Sequence, residues 1–434
     1  MEQFIYYLKV SLLSIKRAPL PYALTLLVLS TGLGVFFSNA TVYYWLNNDP
    51  LPAKSAQLFF PRINSVQSCD TCLEPLKMVS YQDIQLLSNN DIAIAQAAMF
   101  SSSAYARLPD QQGTSPTSVS LRVTQKDFFQ LFEVPFLHGE PWPDNEARNE
   151  IIVSRDTALK FFGRTDVLGE QLQLEESLFT VAGVLDDWQM LPRLYDVNTS
   201  GAMVSVEDIY LPFETAYDLG FTSNTQTMWF DDRDYHGDFA LHAREGQYYM
   251  AQFWVQLEGA EQQQAYRHFM DNLVTSEQEA GRHPRPKANR LDNMLDIVDA
   301  FDARNRQSDA FALVSLLFLL VCLLNASHLS VNRYLSGQYE FSLRRALGAS
   351  RMQLKQQLLV DVLVNTALAF GLSLAIASLF LGLITHLLPT MSVLSSWQPR
   401  LLLTMLGIAF LCCYLVTLYP AIRASFSPLN QQLK

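Results

Sequence analysis

Four apolar runs constrain this 434-residue chain more than anything else in it: Pro21–Tyr44, Ala310–His328, Leu358–Leu388 and Leu401–Tyr419. A bilayer core is crossed by ~20 helical residues, and each run reaches or approaches that length. In hydrocarbon the backbone must satisfy its own hydrogen bonds, so runs of this kind span as helices. A long polar stretch, 45–307, separates the first run from the second. The expected fold class is therefore α/β plus α-helical membrane. One helix precedes a large inserted α/β domain, and three follow it.

Charge orients this layout. The formal net charge of −11 resolves into +2 for residues 1–44, +5 for 308–434 and −18 for 45–307. Lys and Arg near the spans mark the cytoplasmic side. Lys9, Lys16 and Arg17 precede the first run, Arg333, Arg344, Arg345, Arg351 and Lys355 lie between the second and third, and Arg423 and Lys434 follow the fourth. Four spans place all three groups inside and the acidic insert outside, with only Arg400 in a short outer loop. So acidic an outer domain argues against nucleic acid as a partner. Ser38-Asn39-Ala40 resembles a signal-peptide cleavage site, but the apolar run exceeds a signal core. Tyr43, Tyr44 and Trp45 read as an interfacial aromatic anchor, so a retained span is expected.

These signals divide the chain. Residues 1–20 form a cytoplasmic amphipathic helix, with apolar positions at helical spacing and lysines interleaved, as on the inner membrane surface. Membrane helices follow at 21–45, 307–332, 358–388 and 401–420. The outer domain occupies 46–306, a basic cytoplasmic loop 333–357, a short outer loop 389–400 and a cytoplasmic tail 421–434. Within the outer domain, strands are expected at Val119–Val123, Ile151–Ser154, Gln171–Leu174, Phe179–Val184, Asp208–Leu211 and Gln252–Leu257. Helices are expected at Gln125–Phe132 and Arg155–Phe162, the latter stopped by Gly163. Gln111–Pro116 and Asp196–Gly201 read as surface loops.

Enzymatic motifs are absent. None of the 18 glycines is followed by lysine, so the chain carries no P-loop, and neither HExxH nor GxSxG occurs. The acidic run Asp231–Asp238 resembles a calcium loop, but its twelfth position, counted from Asp232, is Ala243 rather than a bidentate Glu. A solvated loop is the better reading, and neither a metal nor any other cofactor is expected. Cys322, Cys412 and Cys413 sit in apolar runs as packing residues. Cys69 and Cys72, in Cys69-Asp70-Thr71-Cys72, lie where a disulfide persists; a small loop staple is favoured over half a zinc site or a redox motif. Asn325, His328, Asp361 and Asn365 are polar within the spans, close to the expected cytoplasmic boundary, where hydration lowers their cost.

The cytoplasmic loop holds the most specific signal. Tyr339–Val360 is basic and amphipathic, and Ser350 is placed to cap a helix beginning at Arg351. Arg344, Arg345 and Arg351 suit contact with anionic lipid. Phe341, Leu343, Ala346 and Leu347 add a compact apolar surface that lipid contact alone does not need, which favours docking of a soluble partner.

Residues Glu340–Arg351 closely resemble the E-x-x-[IL]-R-[RK]-A-[LI]-G-A-[ST] coupling segment of the MacB/FtsX/LolE group, the type VII or mechanotransmission permeases of ABC transporters. Leu121–Gly139, and Ile151–Gly163 continuing through Leu168-Gly169-Glu170 to Phe179–Val184, are similar to the periplasmic core domain of MacB-like proteins; Tyr419–Leu429 resembles the family's C-terminal ending. The resemblance implies a Porter-like α/β subdomain built from both ends of 46–306, with a Sabre-like subdomain inserted. It implies that Glu340, Phe341, Leu343, Arg344, Arg345, Ala346, Leu347, Gly348, Ala349 and Ser350 contact a separate ABC ATPase subunit. It further implies a second permease copy or a related permease as dimer partner, with a periplasmic adaptor and an outer-membrane channel as further partners. The chain is then a non-enzymatic permease of the bacterial inner membrane, for efflux of peptides or small toxic molecules. Lipoprotein release, or FtsX-like regulation of a periplasmic partner, is the alternative. A thiol-redox role through Cys69 and Cys72 is a third. Two departures stand out: the chain lacks the fused ATPase of MacB itself, and Asp361 stands where relatives often carry Glu.

Overall fold

The computed structural model describes residues 2–17, 19–47, 49–65, 74–110, 115–146, 148–190, 192–196, 205–230, 237, 239–283, 288–297, 306–336, 348, 350–387 and 397–426. Two compact units emerge, one formed by residues 1–46 with 304–434 and the other by 47–303. In chain order the helices are α1 (Glu2–Arg17), α2 (Pro19–Asn47), α3 (Tyr81–Ser88), α4 (Asp127–Leu131), α5 (Arg155–Phe162), α6 (Phe213–Asp218), α7 (Phe239–Glu245), α8 (Gly259–Glu279), α9 (Arg306–Ser336), α10 (Arg351–Leu387) and α11 (Pro399–Phe426). The strands are β1 (Leu58–Arg62), β2 (Val79–Ser80), β3 (Ala95–Arg107), β4 (Thr117–Thr124), β5 (Phe136–Gly139), β6 (Glu150–Val153), β7 (Gln171–Leu174), β8 (Ser177–Leu185), β9 (Ile209–Pro212), β10 (Met228–Trp229), β11 (Tyr248–Gln256) and β12 (Arg290–Asn293).

In the first unit α2, α9, α10 and α11 are each long and apolar enough to cross a membrane. They share a buried seam of Leu29, Leu33 and Phe37 from α2, Leu319 from α9, Ala369 from α10 and Met405 with Ala409 from α11. Small residues bring the helices close, since no hydrophobic drive separates helix from lipid and packing must supply the attraction. A Cβ built on Gly32 would stand 2.6 Å from Cys322 Cβ, and one on Gly34 would stand 2.6 Å from Ile376 Cγ2. Leu317, Leu320, Val321 and Leu324 of α9 point outward and are exposed, as lipid-facing side chains are. Cys322, Cys412 and Cys413 are free and buried, in the packing role expected of them. From the aromatic anchor, Tyr44 donates to Gln398 Oε1 at 2.9 Å, joining α2 to the segment before α11. Helix α1 leaves Phe4, Ile5, Tyr6, Leu12 and Leu13 exposed and packs against α10.

The second unit is an α/β domain on a mixed sheet ordered β12-β1-β11-β3-β4-β9-β6-β8-β5, with β2 and β10 also paired to β11 and β7 paired to both β3 and β8. Its first and last strands, β1 and β12, are antiparallel neighbours, with Phe59 opposite Asn293 and Arg62 opposite Arg290. Both ends of the inserted stretch thus meet in one ladder. The sheet is covered on both faces. One core gathers Ile84, Phe100, Leu121, Phe213 and Tyr266; the other gathers Phe60, Phe128, Phe132, Trp254 and Tyr210. Gly163 ends α5 in the left-handed region at φ +69°, as expected, whereas Ser154, expected to close a strand, lies beyond β6 and caps α5 by accepting from Thr157 N.

Candidate functional site

The expected coupling segment is described at two positions, Gly348 and Ser350; Glu340, Phe341, Leu343, Arg344, Arg345, Ala346, Leu347 and Ala349 lie outside the described residues. Gly348 has φ +95°, a conformation that an L side chain resists and glycine accepts freely. Two residues on, Ser350 starts α10 with a reciprocal capping box. Its Oγ accepts from Gln353 N at 3.2 Å, and its own N–H donates to Gln353 Oε1 at 2.9 Å. The cap satisfies donors that a helix start otherwise leaves orphaned. From there α10 runs unbroken for 37 residues. At 1.5 Å per residue that is ~55 Å, well beyond the hydrocarbon core. The stretch from Arg351 and the third span are therefore one continuous helix.

Polar side chains line the inner side of that element. Tyr22 of α2 donates to Asn365 Oδ1 of α10 at 2.7 Å, and Ser30 Oγ reaches the Ala369 carbonyl at 3.4 Å. Asp361 is buried at 6 % exposure, while Asn325 and His328 are exposed. Hydration at the boundary suits Asn325 and His328, but Asp361 is turned into the bundle.

In the outer domain, reading the sequence missed a buried ionic network. Arg122, inside β4, is fully buried. Its Nη2 lies 2.6 Å from Asp196 Oδ2 and its Nε donates to Glu207 Oε1 at 3.1 Å. Arg193 bridges the same carboxylates at 3.3 and 3.0 Å. Tyr195 donates to Glu207 Oε2 at 2.7 Å, Gln252 of β11 to Asp196 Oδ1 at 3.0 Å, and Trp254 Nε1 to the Tyr195 carbonyl at 3.2 Å. Among the described residues two guanidiniums face two carboxylates. Burial opposes the charge on Arg122, but Glu207 and Asp196 outweigh it and hold its pKa above the ordinary arginine value. Burial and the charge on Glu207 together push the Tyr195 phenol well up. Asp196, read as the start of a surface loop, instead pins its segment to the sheet; 197–201 lie outside the described residues. One signal was available: Arg122 interrupts an apolar strand on the face opposite Leu121 and Val123.

Cys69 and Cys72 lie outside the described residues, as does the acidic run at 231–238 apart from Gly237. Among the described residues no group of His, Cys, Asp and Glu is placed to hold a metal.

Two family descriptions match the chain. A MacB-like periplasmic core domain matches residues 22–271, and an FtsX-like permease C-terminal domain matches 310–429. Among solved structures, the periplasmic region of MacB from Actinobacillus actinomycetemcomitans is 13 % identical, covers 58 % of this chain and 95 % of its own, and has a TM-score of 0.37. The extracellular domain of the noncanonic ABC-type transporter YknZ from Gram-positive bacteria is 17 % identical, with 54 % and 100 % covered and a TM-score of 0.34. A domain of a putative permease protein from Porphyromonas gingivalis is 16 % identical, with 55 % and 90 % covered and a TM-score of 0.34. No curated protein matches.

Proposed function

This chain belongs to the MacB/FtsX-like family of ABC transporter permeases, and from that premise we propose that it is the non-catalytic membrane subunit of a complex in which a separate ATPase drives motion of the periplasmic domain. The ATPase docks on Glu340–Ser350 and pushes on the start of α10. Its cycle is relayed through the span helices to the outer domain, which expels peptides or small toxic molecules without passing them through a membrane pore. Two permeases, as a homodimer or with a related chain, form the working unit, with an adaptor and an outer-membrane channel completing the export path.

One observation carries this reading. Ser350 caps a helix that runs 37 residues from Arg351 without a break, so a displacement delivered at its start meets no hinge within the helix before it enters the membrane. The test is co-purification of the tagged chain from its native host in mild detergent, beside the variant Arg344→Glu/Arg345→Glu. A P-loop ATPase is expected with the wild type and lost from the variant. Equal recovery with both would remove the coupling role of this segment.

A further inference from the structure

A polar cavity of about 360 Å³ opens in the outer domain, within the size range of small-ligand sites. Three distant stretches of the chain wall it: Ser65 and Asp83 from the start of the domain, Phe230 and Gln247 from either side of α7, and Arg282 and His283 from beyond α8. Among the described lining residues, Phe230 supplies the one wholly apolar side chain.

Part of the wall is fixed from within. Ser65 Oγ donates to Asp83 Oδ2 at 2.7 Å and lies 3.2 Å from the Tyr249 hydroxyl. His283 Nε2 sits 3.3 Å from Asp83 Oδ1, with its side chain 5 % exposed. His283 holds φ +51°, an uncommon backbone state for a side chain of its size, so its position is imposed by the surrounding structure. Yet its Nδ1 is buried without a hydrogen-bond partner, as is Gln247 Oε1. Burying unpaired polar atoms is unfavourable, and two of them on the wall of one polar cavity point to a place where partners are gained on binding.

The wall asks for hydrogen bonds rather than for charge. Arg282 pairs with Glu277 and donates to Gln82 Oε1 at 3.1 Å, His283 faces Asp83, and Glu245 has a partner of its own. Each ionic group on the described wall is thus engaged from within the protein, and none calls for a counter-ion. Of the two unpaired atoms, Gln247 Oε1 only accepts, whereas an imidazole nitrogen accepts or donates according to its protonation. A hydroxyl does both, so it serves either atom in either state; an ammonium only donates and a carboxylate only accepts. The Phe230 ring, set edge-on to that of Tyr249 with centroids 5.8 Å apart, adds the apolar surface that the carbon face of a sugar ring would cover. We propose that the cavity binds a neutral, polyhydroxylated ligand of sugar size, one hydroxyl donating to Gln247 Oε1 and another pairing with His283 Nδ1. The assignment holds whether or not the chain couples to an ATPase.

The test is saturation-transfer NMR on the full chain, without any ATPase, in a polyoxyethylene detergent that carries no sugar headgroup. Glucose, glucosamine and glucuronate share one ring and differ in charge; N-acetylglycine methylamide is the neutral probe without hydroxyls. At neutral pH and physiological salt, saturable binding of glucose is expected, tighter than that of the other three. Losing one neutral hydrogen bond should weaken glucose about fivefold in Gln247→Leu and in His283→Asn, an exchange to a residue that tolerates the left-handed backbone. Glu176→Gln, an exposed acid of the β7–β8 turn, is expected to bind as wild type. Gln247 is partly exposed, so its variant reports on binding even where His283→Asn fails to fold. Absence of glucose binding, equal or tighter binding of either charged sugar or of the amide, undiminished binding by Gln247→Leu, or equal weakening by Glu176→Gln would each overturn the proposal.

Discussion

Tyr22 and Asn365, 343 residues apart in sequence, meet in a hydrogen bond of 2.7 Å that ties the first span to the third. Inter-helix hydrogen bonds inside membranes contribute about 0.6 kcal/mol on average. Tyr22→Phe should therefore lower thermal stability in detergent by a small, measurable amount. In a double-mutant cycle with Asn365→Leu, the second change should cost little once the first is made. Fully additive losses would count against the pairing.

Gly34 is expected to tolerate no larger residue. A Cβ there meets Ile376 Cγ2 at 2.6 Å and the Ser373 carbonyl at 3.1 Å. Gly34→Leu should destabilise the bundle by about 1–3 kcal/mol through overpacking, read as lost yield and early aggregation on heating. Gly34→Ala combined with Ile376→Ala should recover part of the loss, because the nearest atom is then removed.

The cap of α10 gives a functional prediction with a stability control. Ser350→Ala removes an N-cap worth about 1 kcal/mol, and Gly348→Ala forces a side chain into the left-handed region at roughly 1–2 kcal/mol. Both variants should reach the membrane in normal amounts. In a reconstituted complex, both should reduce the ATP-dependent conformational response of the outer domain, measured by a fluorescent pair placed within it. An unchanged response would mean that the turn carries no motion.

Breaking the ionic network should be severe. Arg122→Met leaves Asp196 and Glu207 buried with one guanidinium fewer between them, and losing one partner of a buried pair costs about 3–5 kcal/mol. Adding Glu207→Gln removes the excess charge and should restore a substantial part of that loss. Thermal unfolding of the three proteins side by side would show it.

Asp83 sets an acid limit on the outer domain. Burial disfavours its charge, but hydrogen bonds from His283, Ser65 and Ser80 and the charge on His283 outweigh this and lower its pKa below 3.8. The unfolded chain therefore binds this proton more readily than the folded one. The contribution is fully present above the unfolded carboxylate value and fades as pH falls through the lower folded value. Melting temperatures of wild type and Asp83→Asn should differ most above about pH 5 and converge on acidification below pH 4. A gap that widens on acidification would invert the assignment.

The membrane helices were legible because hydropathy over ~20 residues is a strong signal, and α5 because its periodicity and terminal glycine agree. Strand β3 was not. Its Ala95–Arg107 stretch is rich in Ala and Ser, poor strand formers, and is extended because β4 and β11 pair with it on either side. Helix α8 escaped notice for another reason: its buried seam of Tyr266, Met270, Val274 and Glu277, flanked by the partly buried Phe269 and Leu273, is confined to the second half of a helix whose first turns are polar, so its apolar period is faint. The ionic network was hidden because Arg193, Asp196 and Glu207 lie in irregular segments whose meeting with Arg122 is set by tertiary packing. The cavity shares that origin, since its walls come from three distant stretches.

The pairing of β1 with β12 has a mechanical consequence. The strands run antiparallel, so the chain leaving the first span and the chain returning to the second attach at the same end of the ladder, beside Phe59 and Asn293. A pull that separates these two tethers loads the hydrogen bonds in sequence, peeling from Phe59 inward, whereas a pull along the strands would load all four residue pairs together. Already at the second pair, Phe60 with Asp292, such peeling also loads the contact of Asp292 with the Arg62 guanidinium, which lies 2.6 Å away and donates to the Pro75 carbonyl at 3.2 Å. The ion pair therefore guards the end of the ladder at which both tethers attach.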